Sequence, residues 1–207
     1  YPQGGVILAS DGNLYGTTQY GGTNNQGSIF QFNPQNNVFQ TIYSLNSTSG
    51  DGRYPYGKLL EAEEGILAGT CNEGGTSGNG TIFKLTTSGE FTRLRSLSSA
   101  STGGYPKAGL CKTADGLMYG ITEFGGNQGF GTIYTISLNG DFAKITNMEY
   151  SQMGGNAISP LIFDSGQNQI IGATASGGAS SNGAVFSLSI PQHSIQKLHD
   201  FSMPKSG

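Results

Sequence analysis

Three short glycine-containing motifs recur four times along this chain, always in the same order. An apolar segment ends at a glycine in each copy, at Gly16, Gly69, Gly120 and Gly172. A Gly-Gly pair begins five residues after each of these glycines, and a Gly-x-x-aromatic segment follows, as in Gly27-Ser28-Ile29-Phe30. The copies are spaced by roughly 52 residues, and a fixed period of this size is the signature of a repeat architecture.

A fourth motif opens each unit and divides the chain. It reads Tyr1-Pro2, Tyr54-Pro55, Tyr105-Pro106 and, in divergent form, Ser159-Pro160. The predicted units are therefore residues 1–53, 54–104, 105–158 and 159–207, and together they account for the whole chain as a single domain.

Within a unit, the residue types are those of short strands. In the third unit, segments 109–113 and 117–122 flank Asp115-Gly116, and segments 132–137 and 142–145 flank Asn139-Gly140. Asp-Gly and Asn-Gly are strong hairpin signals because glycine adopts positive φ. Glycine makes up 35 of the 207 residues, which disfavours helices because each glycine in a helix interior costs about 1 kcal/mol relative to alanine. We predict an all-β fold, a β-propeller of four four-stranded antiparallel blades.

The repeat resembles a known family. Asp11-Gly12-Asn13-Leu14-Tyr15-Gly16-Thr17-Thr18, with Gly21-Gly22 and Gly27-Ser28-Ile29-Phe30, is similar to the GloVer tandem repeat of bacterial β-propellers. The likeness covers all four units and weakens in the fourth, where Ile171 replaces Tyr15. It implies the propeller fold and a secreted or cell-surface location, and it implies no defined activity or catalytic residue.

The way in which the ring closes stays open. Each unit supplies its own four strands, so no strand exchange between the chain ends is predicted. Four blades could close a small ring by side-chain packing, which gives a monomer, and two chains could instead form a dimer that completes an eight-bladed ring. The chain, which opens at Tyr1 without Met or an apolar leader, could also be a mature form or a piece of a longer array.

Several partner and cofactor classes are disfavoured. The net charge is −3 and no run of Lys or Arg occurs, so we expect no nucleic-acid partner. No apolar stretch is long enough for a membrane span. We expect no cofactor: segment 22–28 has the glycines of a phosphate-binding loop but lacks its Lys. We expect no metal site either, because His193 and His199 are too few ligands. Cys71 and Cys111 are interpreted as buried thiols, although a disulfide is not excluded.

Function, if any, is expected on the face that carries the loops between the second and third strands and the connections between blades. The candidate ligand-binding residues there are Tyr20, Asn25, Tyr54, Tyr56, Tyr105, Phe124 and Phe130. Aromatic faces beside amide groups suit a neutral polar ligand such as a glycan. The recurrence of the Tyr-Pro residues in register favours packing between blades as the competing interpretation.

Catalysis is the alternative. Glu73 and Glu123 lie at near-equivalent positions of adjacent blades and are the candidate acid/base pair, whereas Asp51 and Arg53 are expected to form a surface pair. The leading hypothesis is an extracytoplasmic, non-enzymatic propeller that binds a polysaccharide or a protein. The alternatives are a secreted enzyme that processes a polysaccharide or a peptide through these carboxylates, and a structural spacer.

Overall fold

A computed structural model describes residues 1–202 as four separate sheets, each built from four consecutive antiparallel strands. Blade 1 contains β1 (Ile7–Leu8), β2 (Leu14–Thr18), β3 (Ser28–Asn33) and β4 (Val38–Ser44). Blade 2 contains β5 (Leu60–Glu63), β6 (Ile66–Cys71), β7 (Thr81–Thr86) and β8 (Phe91–Ser96). Blade 3 contains β9 (Cys111–Lys112), β10 (Met118–Ile121), β11 (Thr132–Ile136) and β12 (Phe142–Asn147). Blade 4 contains β13 (Ile162–Asp164), β14 (Gln169–Ala173), β15 (Ala184–Ser189) and β16 (Ile195–Asp200).

The architecture is a β-propeller of four blades, which confirms the predicted fold class. The strand order within every sheet follows the chain, and the hairpins of blade 3 turn at Asp115-Gly116 and Asn139-Gly140 as the sequence predicts. The third and fourth strands of every blade share a register shift at the same place, from Ile29/Phe30 in blade 1 to Val185/Phe186 in blade 4. The four blades are therefore equivalent in detail, and residues can be compared position by position.

The blades pack through two opposite faces. We call the face toward the following blade the forward face and the face toward the preceding blade the back face. Between blades 1 and 2, Tyr15 and Ile29 on a forward face pack with Leu67 and Phe83 on a back face. The equivalent positions pack blade 2 on blade 3 and blade 3 on blade 4, and these three clusters form the hydrophobic core. No cluster, hydrogen bond or ion pair joins blade 4 to blade 1 within residues 1–202.

Glycine is required where a loop returns into the third strand. Gly131 has φ 103°, and a Cβ at this position would collide with the backbone of Thr122. The same turn lets the loop after the second strand double back against the connection between blades, for example through the bridge between Gly104 and Phe124. Both kinds of loop therefore lie on one face, as predicted.

One repeat motif was misaligned at the sequence level. The structural equivalent of Tyr54 and Tyr105 in blade 4 is Asn156, because all three residues have positive φ. Their carbonyl groups also accept equivalent hydrogen bonds, from the backbone N–H groups of Asn72, Glu123 and Ala175. Ser159-Pro160 lies three residues later. The sequence misplaced this motif because the connection into blade 4 has lost both the Tyr and the Pro, and Ala157 stands in the place of Pro106.

The two cysteines lie on different blades and are free. Cys71 is fully buried at the end of β6, and burial raises the pKa of its thiol to about 12. Cys111 in β9 is half-buried, and burial raises the pKa of its thiol as well. Neither thiol is therefore prone to form a thiolate near neutral pH.

Candidate functional site

The first strands of all four blades line a central cavity of about 610 Å³. Its wall is mainly apolar and contains residues 6–8, 58–61, 109–112 and 160–163. The chain enters each of these strands from the face that carries the loops, so this face contains one mouth of the channel. The side chains around that mouth are the strongest candidates for contact with a ligand.

Polar side chains occupy an equivalent buried position in three blades at this mouth. Gln19, Asn72 and Glu123 each lie three residues after the central glycine of the second strand, and their exposed fractions are 7%, 6% and 7%. Blade 4 has the exposed Ala175 at this position. We call Gln19, Asn72 and Glu123 the mouth triad. Buried polar groups are normally hydrogen-bonded, so the partners of each member show what it does.

Gln19 and Glu123 have protein partners. The Gln19 amide donates a hydrogen bond to the Tyr56 hydroxyl of blade 2 at 2.5 Å and accepts one from the Gln3 amide at 3.3 Å. Lys107 binds both carboxylate oxygens of Glu123, each at 2.9 Å. Burial, and then the proximity of Tyr20, raises the pKa of Tyr56, so its hydroxyl stays neutral and keeps its hydrogen-bonding capacity.

Asn72 differs from the other two members. Its Oδ1 atom is buried and has no hydrogen-bond partner, and its side chain bonds to no other residue in the described part of the chain. A buried polar group without a partner costs about 1–3 kcal/mol. A ligand that offers a hydrogen bond to this amide would recover that free energy.

Exposed aromatic rings lie beside two members of the triad. Tyr20 follows Gln19 and is 38% exposed, and Phe124 follows Glu123 and is 44% exposed. Tyr20 contacts Tyr54 edge-on at 5.2 Å between ring centroids, and Phe124 contacts Tyr105 edge-on at 5.9 Å. These contacts hold the two rings in place while one side of each remains open to solvent.

Several predicted ligand residues have structural partners. Tyr54 lies under the Arg53 guanidinium at 5.1 Å, and Tyr105 accepts a hydrogen bond from Asn79 of blade 2 at 3.0 Å. These contacts agree with the competing interpretation that the recurring tyrosines pack between blades. The structure thus brings Tyr20 and Tyr56 close to the mouth triad, whereas Tyr54 and Tyr105 support the rings above it.

Phe130 and Asn25 take no visible part in this site. The Phe130 ring contacts that of Tyr150 at 4.5 Å between centroids, with the planes tilted by 32°, and packs against the core between blades 3 and 4. Asn25 has positive φ, and its Oδ1 atom accepts a hydrogen bond from the Gly21 amide at 3.0 Å within its own loop. Both residues stabilise the loops that carry the site.

The two candidate catalytic carboxylates are each engaged by a cation. Arg53 binds Glu73 at 2.8 Å. The predicted pair of Arg53 with Asp51 is therefore wrong. Asp51 is buried and accepts hydrogen bonds from the Tyr43 hydroxyl at 2.8 Å and the Asn46 amide at 3.1 Å. Glu73 is also offset by one residue from Glu123, since it is the equivalent of Tyr20 and Phe124.

The two histidines lie near the end of blade 4, within its last strand or just before it. His193 lies in the turn before β16, where it shares a hydrogen bond of 3.0 Å with the Tyr119 hydroxyl of blade 3, and His199 lies within β16. Among residues 1–202, no group of three or more His, Cys, Asp and Glu side chains is arranged to hold a metal ion. Within the same residues, no helix is long and apolar enough to cross a membrane.

Sequence reasoning missed most of the mouth triad. Gln19 and Asn72 carry no motif, and Lys107 was not considered. The signal was available in the repeat register, because the position three residues after the central glycine is polar in three units and Ala in the fourth. The residue type at this position therefore differs between blades, and so do its contacts.

The profile of the Gloeobacter/Verrucomicrobia repeat matches residues 1–168 and, in an overlapping second match, residues 55–207. The chain belongs to the Gloeobacter/Verrucomicrobia repeat family. This membership confirms the resemblance inferred from the glycine motifs. No curated protein matches the sequence of this repeat protein.

Solved structures with a similar fold are distant in sequence. TolB from Acinetobacter baumannii superposes on 96% of the chain with a TM-score of 0.58 and 14% identity. A gluconolactonase from Xanthomonas campestris covers 80% of it with a TM-score of 0.53 and 16% identity. A putative 6-phosphogluconolactonase from Bacteroides uniformis covers 94% with a TM-score of 0.58 and 13% identity. The Gloeobacter/Verrucomicrobia repeat chain spans 43%, 52% and 55% of these proteins, and the likeness concerns the fold alone.

Proposed function

We propose that this protein is an extracytoplasmic, non-enzymatic binding module that takes a neutral, hydroxyl-rich ligand, a polysaccharide segment, at the loop-side mouth of its channel. The observation that carries the proposal is the buried, unpartnered Oδ1 atom of Asn72 within the mouth triad. Sugar hydroxyl groups both donate and accept hydrogen bonds, so they match either end of an amide.

The surroundings of Asn72 favour the same ligand class. Tyr20 and Phe124 offer exposed rings on which the C–H faces of a sugar could stack. Of the charges near the mouth, Arg53 is paired with Glu73 and Lys107 with Glu123, whereas Lys58 lines the cavity and forms no ion pair within residues 1–202. A ligand with strong charge would have to compete with these pairs, whereas a neutral one would not.

The carboxylates give less support to the enzymatic alternative. An acid/base pair needs carboxyl groups that are free to contact a bound substrate, and a carboxylate held by a neighbouring cation is already engaged. Glu73 and Glu123 each have such a neighbour. Location outside the cytoplasm is proposed from the family resemblance.

The test is binding of the purified protein to an array of neutral oligosaccharides, followed by calorimetry with any oligosaccharide that binds. We expect Asn72→Leu to weaken binding by about tenfold or more, the equivalent of a hydrogen bond to a buried partner. Tyr20→Ala and Phe124→Ala should each weaken it by a smaller factor. Asn139→Ala is the matched control, because this exposed side chain lies in the turn between β11 and β12, at the end of blade 3 opposite the mouth.

The same experiment separates the alternatives. If no oligosaccharide binds, or if Asn72→Leu binds as well as the natural protein while its circular dichroism spectrum is unchanged, the proposed site is wrong. Release of shorter products from a bound oligosaccharide, abolished by Glu73→Gln or Glu123→Gln, would establish the enzyme instead. A protein that binds nothing on the array but keeps its fold would fit the structural spacer.

A further inference from the structure

Two blade faces are built like the buried ones but have no blade against them. The back face of blade 1 and the forward face of blade 4 form no cluster with each other within residues 1–202. The exposed fraction of each residue on these faces can be compared with that of its equivalents in the other blades. Those equivalents lie in interfaces between blades, so the difference shows how far each face is uncovered.

The back face of blade 1 is apolar and exposed. Val6 is 47% exposed, whereas its equivalents Leu59, Leu110 and Leu161 are 3%, 8% and 5% exposed. Phe30 is half-buried, although the aromatic residue at this position is fully buried in the other three blades. Phe39 stacks on Phe30 at 5.3 Å and is itself 60% exposed.

The forward face of blade 4 is the complementary case. Phe201 is 43% exposed, whereas Leu45, Leu97 and Met148 at the same position are fully buried. Ile162 is 64% exposed, and Val185 is half-buried where Ile29 has no exposed surface. Ile171, Ile162 and Val185 line a groove of about 230 Å³ on this face.

The three existing interfaces show what such faces accept. In two of them, a side chain from the fourth strand of a forward face covers an aromatic ring at the start of the fourth strand of the next blade, whereas the equivalent residues of the third are Thr146 and Ile195. Tyr43 stacks on Phe91 at 4.5 Å, and the Arg95 guanidinium lies 5.1 Å from the ring centre of Phe142. The uncovered equivalents are His199 on blade 4 and Phe39 on blade 1.

We propose that the forward face of blade 4 docks on the back face of blade 1 of a second copy of this chain, with His199 of one copy over Phe39 of the other. Two copies joined this way through both pairs of faces form a closed ring of eight blades. The contact is heterologous, so it either closes into a ring or continues as a filament. Propellers typically have about 4–8 blades. The 207-residue chain leaves both faces uncovered, and two copies of it together supply eight blades, a number within this range.

Analytical ultracentrifugation of the 207-residue chain tests the proposal. We expect a species of twice the 21.5 kDa chain mass. Phe39→Asp on the back face and Ile171→Asp on the forward face each place a charge in the contact and should weaken association by at least roughly a hundredfold, as an unpaired buried charge does. Val38→Asp is the matched control, because Val38 is similarly exposed, at 52%, and points away from Phe39 along β4.

A mixing experiment distinguishes head-to-tail docking from any other dimer. A mixture of the Phe39→Asp and Ile171→Asp variants retains one intact pair of faces, so it should form dimers that neither variant forms alone. A natural chain that remains monomeric at every concentration overturns the proposal. If Phe39→Asp then also lowers the melting temperature of that monomer, the two faces meet within one chain. Species larger than the dimer overturn the eight-bladed ring.

Discussion

Tyr134 offers the sharpest test of how the blades are packed, because its hydroxyl is a polar group in an apolar place. The residue is fully buried between blades 2 and 3, and its Oη atom has no hydrogen-bond partner in the described part of the chain. Burial alone raises the pKa of this phenol. The equivalent residue is Phe in the other three blades, at Phe30, Phe83 and Phe186. We therefore predict that Tyr134→Phe stabilises the protein.

The expected gain follows from two opposing contributions. Removing a buried, unpartnered hydroxyl relieves a desolvation penalty of about 1–3 kcal/mol. The space left by the single oxygen is smaller than a methyl group, so the cavity costs less than about 1 kcal/mol. The net stabilisation is about 0.5–2 kcal/mol. For a chain of this length, the melting temperature should rise by about 2–4 °C for each kcal/mol.

Tyr15→Phe is the control with the opposite sign. The Tyr15 hydroxyl is also in a buried residue, but it donates to Asp11 at 2.6 Å and accepts from Gln31 at 2.6 Å. Its loss should destabilise the protein by about 1–3 kcal/mol, because a carboxylate loses a donor. Urea denaturation followed by circular dichroism measures both variants. The reasoning is refuted if Tyr134→Phe destabilises the protein by as much as Tyr15→Phe, since the Tyr134 hydroxyl would then have a partner.

Three further predictions concern the loops and the response to pH. Gly131→Ala should lower the free energy of unfolding by at least about 2 kcal/mol, because positive φ and the Thr122 backbone both oppose a Cβ. Gly129 also has positive φ but has open space around it, so Gly129→Ala should cost about 1 kcal/mol. Equal losses in thermal unfolding would contradict the packing argument. Burial, and then the Asp11 hydrogen bond, raises the pKa of Tyr15 from 10.0 to about 12. The contribution of the neutral Tyr15 hydroxyl to the stability of the fold is therefore complete below pH 10 and is lost as the pH rises toward 12. Tyrosinate absorbance and circular dichroism should change together in that range. Burial alone would raise the pKa of Glu61, but hydrogen bonds from Ser10 and Gly65 outweigh burial and lower this pKa below 4.5. The Glu61 carboxylate therefore stabilises the fold above pH 4.5, and this stabilisation is lost as the pH falls through the lowered pKa. An acid titration that is unchanged in Ser10→Ala would argue against this role.

Most of the fold was predictable because its determinants are local and repeated. Asp115-Gly116 and Asn139-Gly140 specify hairpins through backbone geometry, and four copies of the same pattern reinforce each other. The opening of blade 4 was the exception. There the expected Tyr-Pro has become Asn156-Ala157, and only the positive φ of Asn156 and the hydrogen bond that its carbonyl accepts from the Ala175 N–H reveal the equivalence.

The candidate site was less predictable because it depends on contacts between residues far apart in sequence. The Gln19–Tyr56 hydrogen bond crosses from one blade to the next, and the pairing of Arg53 with Glu73 depends on how a loop returns to its connection. Aromatic residues were the visible signal, and the sequence cannot show whether a ring faces solvent or a neighbouring blade. Tyr20 and Phe130 are chemically alike, yet Tyr20 is exposed and Phe130 packs against the core between blades.

The uncovered faces are a second feature that the sequence alone could not reveal. Phe30 and Phe201 have the chemical character of their buried equivalents, so their sequence indicates a face made for burial without indicating which chain covers it. Only the positions of the neighbouring blades separate the two cases. A constant apolar residue therefore identifies a blade-to-blade surface, whereas the variable polar residues of the mouth triad identify a surface that the shared fold does not require. The constant apolar positions thus point to another blade as partner, whereas within the mouth triad only Asn72 has no side-chain partner among residues 1–202.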